Sequence, residues 1–501
     1  MVDCFTLGAS NVLLIIIIHL IVIDSYIRKI PSMGANSIVI NTKEKAKAKQ
    51  EDLLPGSQLA IWRPIHYLGS KLRLVDTIRE TLLQIDPAEG PVCDLFAGSG
   101  TVSLALSETR DVTAVDIQEY SRTICSALLN PYPFDSLNIF NILNDAQLKH
   151  TTERLLWAME PMISHEANCL KAAGNEDPNP ICNLIEKGCI YAFEKKGCEI
   201  EDKALIKSLK ETSNRLAKLE STENISTLVS RYFGGLYFSY TQAAQIDALL
   251  YFISLEGQKS KKDVLLAAVL STASDLVNTV GKQFAQPIRP RDKSGNPKRH
   301  LIRQIQRDRN KSSFELFENW LCRYGSLVPT QNSHQAVCND YYDFLQTYKG
   351  DLSVVYADPP YTRDHYSRFY HVLETICLRD NPDVSYMRVK GQDLLSRGIY
   401  RENRHQSPFC IKSQAPEAFD KLFASVKTFD ASLLLSYSPY SVDAQGRPRV
   451  MKVESIEEIA KEYFKSVEIV SAGRISHNKL NNASLSKEVS YDAELFLICR
   501  P

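Results

Sequence analysis

The sequence predicts an α/β fold: a mixed, mostly parallel sheet with helices on both faces. Three observations lead there. Residues 91–106 (PVCDLFAGSGTVSLAL) read as a buried strand, a tight glycine turn and an apolar helix. Residues 111–118 (DVTAVDIQ) give a second strand that ends in Asp116. Residues 354–361 (VVYADPPY) give a third apolar run, stopped by an acid, two prolines and a tyrosine.

Strand, turn, helix and strand at this spacing form a nucleotide-binding half-unit. Gly98 and Gly100 let a ligand approach the backbone, and the helix beginning at Thr101 offers free N–H groups. An acid at the tip of the second strand, Asp116, can accept hydrogen bonds from ribose hydroxyls. The third glycine of a dinucleotide fingerprint is replaced by Ser103, so a nucleoside-type ligand is expected in place of a dinucleotide.

The chain has 501 residues, 44% of them hydrophobic, enough for one large domain with an insertion or a second domain. Lys+Arg and Asp+Glu are both 59, so any nucleic-acid footprint must be local. The 12 cysteines include no CxxC pair. Cys169, Cys182, Cys189 and Cys198 cluster without zinc-module spacing, and reduced thiols with no metal are expected. Residues 11–23 (NVLLIIIIHLIVI) are short of the roughly 20 apolar residues of a membrane span. A buried helix, a weak anchor or a translated leader ahead of a start at Met33 remain open, with a membrane partner not expected.

Four motifs in one order resemble a single family, the S-adenosylmethionine-dependent DNA methyltransferases that act on adenine N6, in their alpha (Dam-like) group. FAGSGT resembles the cofactor motif and DPPY the catalytic motif. Residues 65–78 (IHYLGSKLRLVDTI) resemble the Y/W-x-G-x-K segment that precedes the glycine turn, and residues 232–249 (YFGGLYFSYTQAAQIDAL) the entry to DNA recognition. The resemblance implies a Rossmann-like class I methyltransferase sheet with an inserted helical subdomain and a DNA target-recognition region. It implies S-adenosyl-L-methionine as cofactor, with Tyr67, Lys71, Asp94, Phe96, Gly98, Gly100, Asp116, Asp340 and Asp358 around it. The catalytic residues would be Asp358, Pro359, Pro360 and Tyr361.

The chemistry fits those residue types. An exocyclic amine has its lone pair delocalised into the ring. The Asp358 carboxylate and the carbonyl between the prolines can accept its two hydrogens and favour an attacking nitrogen. Tyr361 can stack on a flipped base. Tyr366, Phe369, Tyr370 and His371 could line a base pocket, but their helical spacing favours core; Arg363 and Arg368 could meet phosphate. Tyr437, on a strand over residues 432–440 (SLLLSYSPY), is a secondary candidate near the base, and residues 493–499 (AELFLIC) read as a last, antiparallel strand.

The run from Lys282 to Lys311 holds ten cations against Asp292 and Asp308. Lys282, Arg289, Arg291, Lys298, Arg299 and Arg303 are its candidate contacts to double-stranded DNA. The expected organisation is an N-terminal extension over 1–52, the cofactor half of the core over 53–134 and a helical insertion over 135–230. A target-recognition region over 231–335 and the catalytic half over 336–501 follow. The insertion and recognition region should fall between the third sheet region and the catalytic strand. A cytoplasmic restriction–modification enzyme, with a cognate endonuclease as possible partner, is the expected setting. An RNA or cytosine-N4 methyltransferase, or a silent DNA-binding protein, are the alternatives.

Overall fold

In the computed structural model, the strands that read as continuous apolar runs are those buried on both faces. Val92–Asp94 (β1), Val354–Ala357 (β4) and Ser432–Tyr437 (β7) lie in the middle of a seven-stranded sheet. The described residues are 61–197, 199–363, 366–389, 391–438, 449–472 and 494–501. The apolar segment 11–23, the Met33 start and Cys198 lie outside them.

The sheet order is β3-β2-β1-β4-β7-β9-β8, with Val112–Asp116 as β2, His334–Cys338 as β3, Ser466–Ser471 as β8 and Leu495–Arg500 as β9. The first five are parallel, and β9 runs antiparallel between β7 and β8, as the sequence suggested. Tyr386–Val389 (β5) and Gln392–Leu395 (β6) make a separate hairpin.

Two cores cover the two faces. Ile78, Leu82, Val102, Leu106 and Leu129 come from the helices Val75–Ile85, Thr101–Leu106 and Glu119–Leu129. Phe344, Phe419, Phe423 and Ile456 come from Tyr341–Thr347, Ala415–Lys427 and Val453–Lys461 on the other face. This is the Rossmann-like sheet with helical additions that was expected.

The additions enter elsewhere than expected. The helical block runs from Ser136 to Gly325 and precedes β3, so it splits β2 from β3 instead of following the third strand. β3 is an edge strand of polar composition, HQAVC, half-exposed along its length, and carries no apolar pattern. Helix Ala146–Gly174 packs on both Lys203–Glu223 and Tyr240–Ser254, across the expected boundary at 230. The buried helix Lys259–Leu276 packs on Glu119–Leu129 and ties the block to the sheet. Among the described residues, no helix is long and apolar enough to cross a membrane.

Candidate active site

The strand order reverses between β1 and β4, and crevices form at such switch points beyond the carboxyl ends of the strands. Asp94 pairs with Tyr356 in register, so the glycine turn and Asp358-Pro-Pro-Tyr361 leave the sheet side by side. A cleft opens there. Its lining includes Tyr67, Lys71, Phe96, Asp116, Asp340, Asp358, Pro359, Pro360 and Tyr361. A smaller recess shares Tyr67, Lys71, Phe96 and Asp358 and extends to Asp94, Ser99 and Thr101. Together the two cavities gather the expected cofactor and catalytic side chains.

The glycine turn is fixed by the residue expected to meet a ribose. Asp116 Oδ2 accepts from the Gly98 N–H at 2.9 Å, and Oδ1 from Gln118 N–H at 2.9 Å. Gly98 (φ 54°) and Gly100 (φ 70°) are in the left-handed region. A Cβ on Gly98 would lie 2.7 Å from the Tyr67 ring. That ring is itself stacked on Tyr370, with centroids 4.8 Å apart, and the Tyr370 hydroxyl accepts from the Leu68 N–H at 2.7 Å.

Asp94 is buried beneath the recess. Ser103 donates to its Oδ2 at 2.6 Å, while Oδ1 is buried with no hydrogen-bond partner. Burial, only partly opposed by the Ser103 bond, pushes its pKa up to about 7. A buried acceptor without a donor suits a cationic ligand group such as an ammonium.

Asp358 lies 2.9 Å from the Lys71 ammonium, which lies 2.9 Å from Glu494 as well. Ser436 donates to the same Glu494 oxygen at 2.7 Å. Lys71 and Glu494 are buried. Burial acts to lower the Lys71 pKa, but the two carboxylates override it and hold it well above the ordinary value. Lys71 therefore remains a cation and fixes Asp358. The motif marked Lys71 as a cofactor contact; its observed partners are acids of the protein.

Tyr361 is buried at the cleft floor, with Lys71 Nζ 5.7 Å and the Arg449 guanidinium 4.7 Å from its ring. Tyr437 packs behind it at 5.2 Å and donates its hydroxyl to the Met451 carbonyl. Tyr437 is thus a support for Tyr361 and does not line the cleft. Phe369, Tyr370 and His371 are core, and burial draws the His371 pKa down to about 3. Asp340 lines the cleft and caps the following helix, accepting from Tyr342 N–H at 2.9 Å.

The basic run divides in two. Lys282 pairs with buried Asp308 at 3.0 Å, and Arg291 with Glu186 at 3.3 Å and Asn183 at 2.8 Å. Arg309 is buried against Glu166. These charges are answered by groups of the protein itself. Lys298 donates to the Arg289 carbonyl at 3.3 Å. Arg289, Arg299 and Arg303 are exposed, and Arg299, Arg303 and Arg307 form a stripe at four-residue spacing on the helix Arg299–Arg309, opposite buried Leu301, Ile302 and Ile305.

Sequence reasoning missed Glu494, His405 and Ser407, the last two lining the cleft. Glu494 meets Lys71 across 423 positions, with no local signal. Among the described residues, no group of three or more His, Cys, Asp or Glu converges as a metal site.

Two comparisons with known proteins bear on this chain. Residues 67–160 and 309–434 match the sequence model of a family described as D12 class N6 adenine-specific DNA methyltransferase. The matched segments contain the glycine turn, β2, β4 and DPPY, and leave out most of the helical block. The modification methylase LlaI of Lactococcus lactis subsp. lactis is 37% identical over 93 residues, 19% of this chain and 13% of that protein. The matched stretch thus spans about an eighth of that relative's length.

Proposed function

We propose, from the match of residues 67–160 and 309–434 to the D12 class family, that this chain is a site-specific DNA methyltransferase that moves a methyl group to adenine N6 in double-stranded DNA. One observation carries the reading: Asp358 of DPPY, held by Lys71, shares a cleft with the glycine turn and Asp116.

S-adenosyl-L-methionine supplies an electrophilic methyl group on a sulfonium. Asp116 and Asp340 would meet its nucleoside end, and Asp94, with its partnerless buried oxygen, its ammonium. Asp358 accepts one hydrogen of the adenine amine and the Pro359 carbonyl the other. The nitrogen lone pair is then directed out of the ring, and its growing positive charge is stabilised by the carboxylate. Prolines add no competing N–H donors. Tyr361, backed by Tyr437, offers a face for the extruded base. The Arg299–Arg303–Arg307 stripe and, apart from it, Arg289 would meet phosphate. The Dam-like alpha group, a cytoplasmic site of action and a partner endonuclease complete the reading.

The test is purified protein with labelled S-adenosylmethionine and unmethylated bacterial DNA, wild type beside Asp358→Ala, with products digested to nucleosides. N6-methyladenine from wild type alone is expected. N4-methylcytosine, or transfer to RNA in preference to DNA, would replace this reading with another.

A further inference from the structure

Arginines from three separate segments gather around Tyr400. The Arg368 guanidinium lies 5.9 Å and the Arg404 guanidinium 5.4 Å from its ring centre. Arg397, three residues earlier, donates to the Ile288 carbonyl beside Arg289, and the Tyr400 hydroxyl donates to the Ala285 carbonyl. The helix after DPPY, the return from the β5–β6 hairpin and the loop over 284–291 therefore each bring cations to one spot.

The cluster is electrostatically incomplete. The Nε atoms of Arg368 and Arg404 are buried without a hydrogen-bond partner. Among the described residues, no carboxylate lies within ion-pair distance of Arg289, Arg368, Arg397 or Arg404, and Glu186, whose charge Arg397 feels, is paired with Arg291. Burial draws the Arg397 and Arg404 pKa values down, with Arg289 adding to it at Arg397 and Arg368 at Arg404. Like charges gathered in a partly desolvated place are unfavourable until an anion joins them.

Two of the segments that carry the cluster also reach the cleft. Tyr366 and Ser367, which precede Arg368, and His405, which follows Arg404, all line it. Guanidiniums present planar, paired donors that match phosphate oxygens.

We infer that Arg289, Arg368, Arg397 and Arg404 form a phosphate clamp at the cleft rim, which holds the DNA backbone beside the extruded adenine. This rests on the DNA reading above and gives it a defined anion site, separate from the stripe on Arg299–Arg309. Drawing the backbone over the cleft would offset part of the cost of unstacking the base.

The test uses the full chain and sheared unmethylated bacterial DNA, with KM for DNA measured over a range of KCl concentrations. The double variant Arg289→Gln/Arg368→Gln is chosen because Arg289 is exposed and neither guanidinium makes a hydrogen bond among the described residues. Arg404 is left in place because it also donates to Ser385 Oγ at the hairpin base. The slope of log KM against log salt should fall by about 0.9 for each lost contact, roughly two in all, with KM raised about ten-fold or more. Cofactor affinity, read by titration calorimetry, should stay within about two-fold, and Arg289→Lys/Arg368→Lys should keep most of the slope. An unchanged slope and KM in a double variant with the wild-type unfolding curve overturns the clamp alone. A wild type that transfers no methyl group to DNA overturns the clamp together with the DNA reading.

Discussion

Lys71 Nζ stands 2.9 Å from Asp358 Oδ1, and Glu494 Oε1 stands 2.9 Å from the same ammonium. One cation is thus shared by two carboxylates in a place mostly closed to water. Lys71→Met would leave the two acids facing each other unneutralised. Breaking a buried pair in this way costs about 3–5 kcal/mol. Urea unfolding should show a loss of that order, along with lost methyl transfer. Glu494→Gln retains an oxygen for Ser436 and for Lys71, so it should destabilise far less while lowering kcat. Equal destabilisation by the two variants would show that Glu494 holds the fold and not the acid.

The same cluster sets a pH dependence. Burial pushes the Asp358 pKa up to about 6, against the pull of Lys71 and with the push of Glu494. In the proposed reaction the carboxylate must be ionised to accept a hydrogen from the adenine amine. Activity should therefore be full above this value and fall as pH drops through about 6. Removing the Glu494 charge takes away an upward push, so the acid limb of kcat in Glu494→Gln should move to lower pH. A limb that stays in place would separate Glu494 from the electrostatics of Asp358.

Glu374 gives a pH effect on stability. It accepts from the N–H groups of Glu119 and Tyr120 at 3.1 Å each, at the start of the helix Glu119–Leu129. Burial raises its pKa from 4.5 to about 7. The folded state then binds the proton more tightly than the unfolded chain. Its stabilising contribution is present in full below the unfolded value and is lost as pH rises through about 7. Stability should fall across that window by at most about 1.4 kcal/mol per pH unit from this group. Glu374→Gln should flatten the decline, measured as unfolding free energy at several pH values.

The legible parts of this protein are those in which neighbours in sequence do the work. The strand–turn–helix at 92–106, the acid closing β2 and DPPY closing β4 are local patterns, and they place the cleft at once. β3 was not legible, because an edge strand of His, Gln, Ala, Val and Cys has no apolar period, and with it went the point where the helical block enters. Glu494 was read only as the start of a strand, since its partner lies at the far end of the chain. In the basic run, counting charges could not reveal that Arg309 is answered by Glu166, 143 positions away, or that Lys282 closes on Asp308. Tyr437 was aromatic and near the site, but its hydroxyl already has the Met451 carbonyl.

Gly98 is where backbone shape and ring stacking meet, and Gly98→Ala tests both. Its φ of 54° costs a residue with a side chain about 1 kcal/mol. The new Cβ would press 2.7 Å from the Tyr67 ring. Tyr67 cannot simply recoil, because Tyr370 stacks on it at 4.8 Å, and Tyr120 lies against Tyr370 at 5.4 Å. Either the Tyr67 ring moves, reshaping the cleft it lines, or the turn shifts and its N–H loses Asp116. Both outcomes disturb the side of the cleft proposed to hold the cofactor, before any DNA is present. Titration calorimetry should show S-adenosylmethionine binding weakened about ten-fold or more, equivalent to about 1.4 kcal/mol or more. Wild-type affinity in Gly98→Ala would mean that the tyrosine stack yields freely and that the tight turn is not what shapes the cofactor pocket.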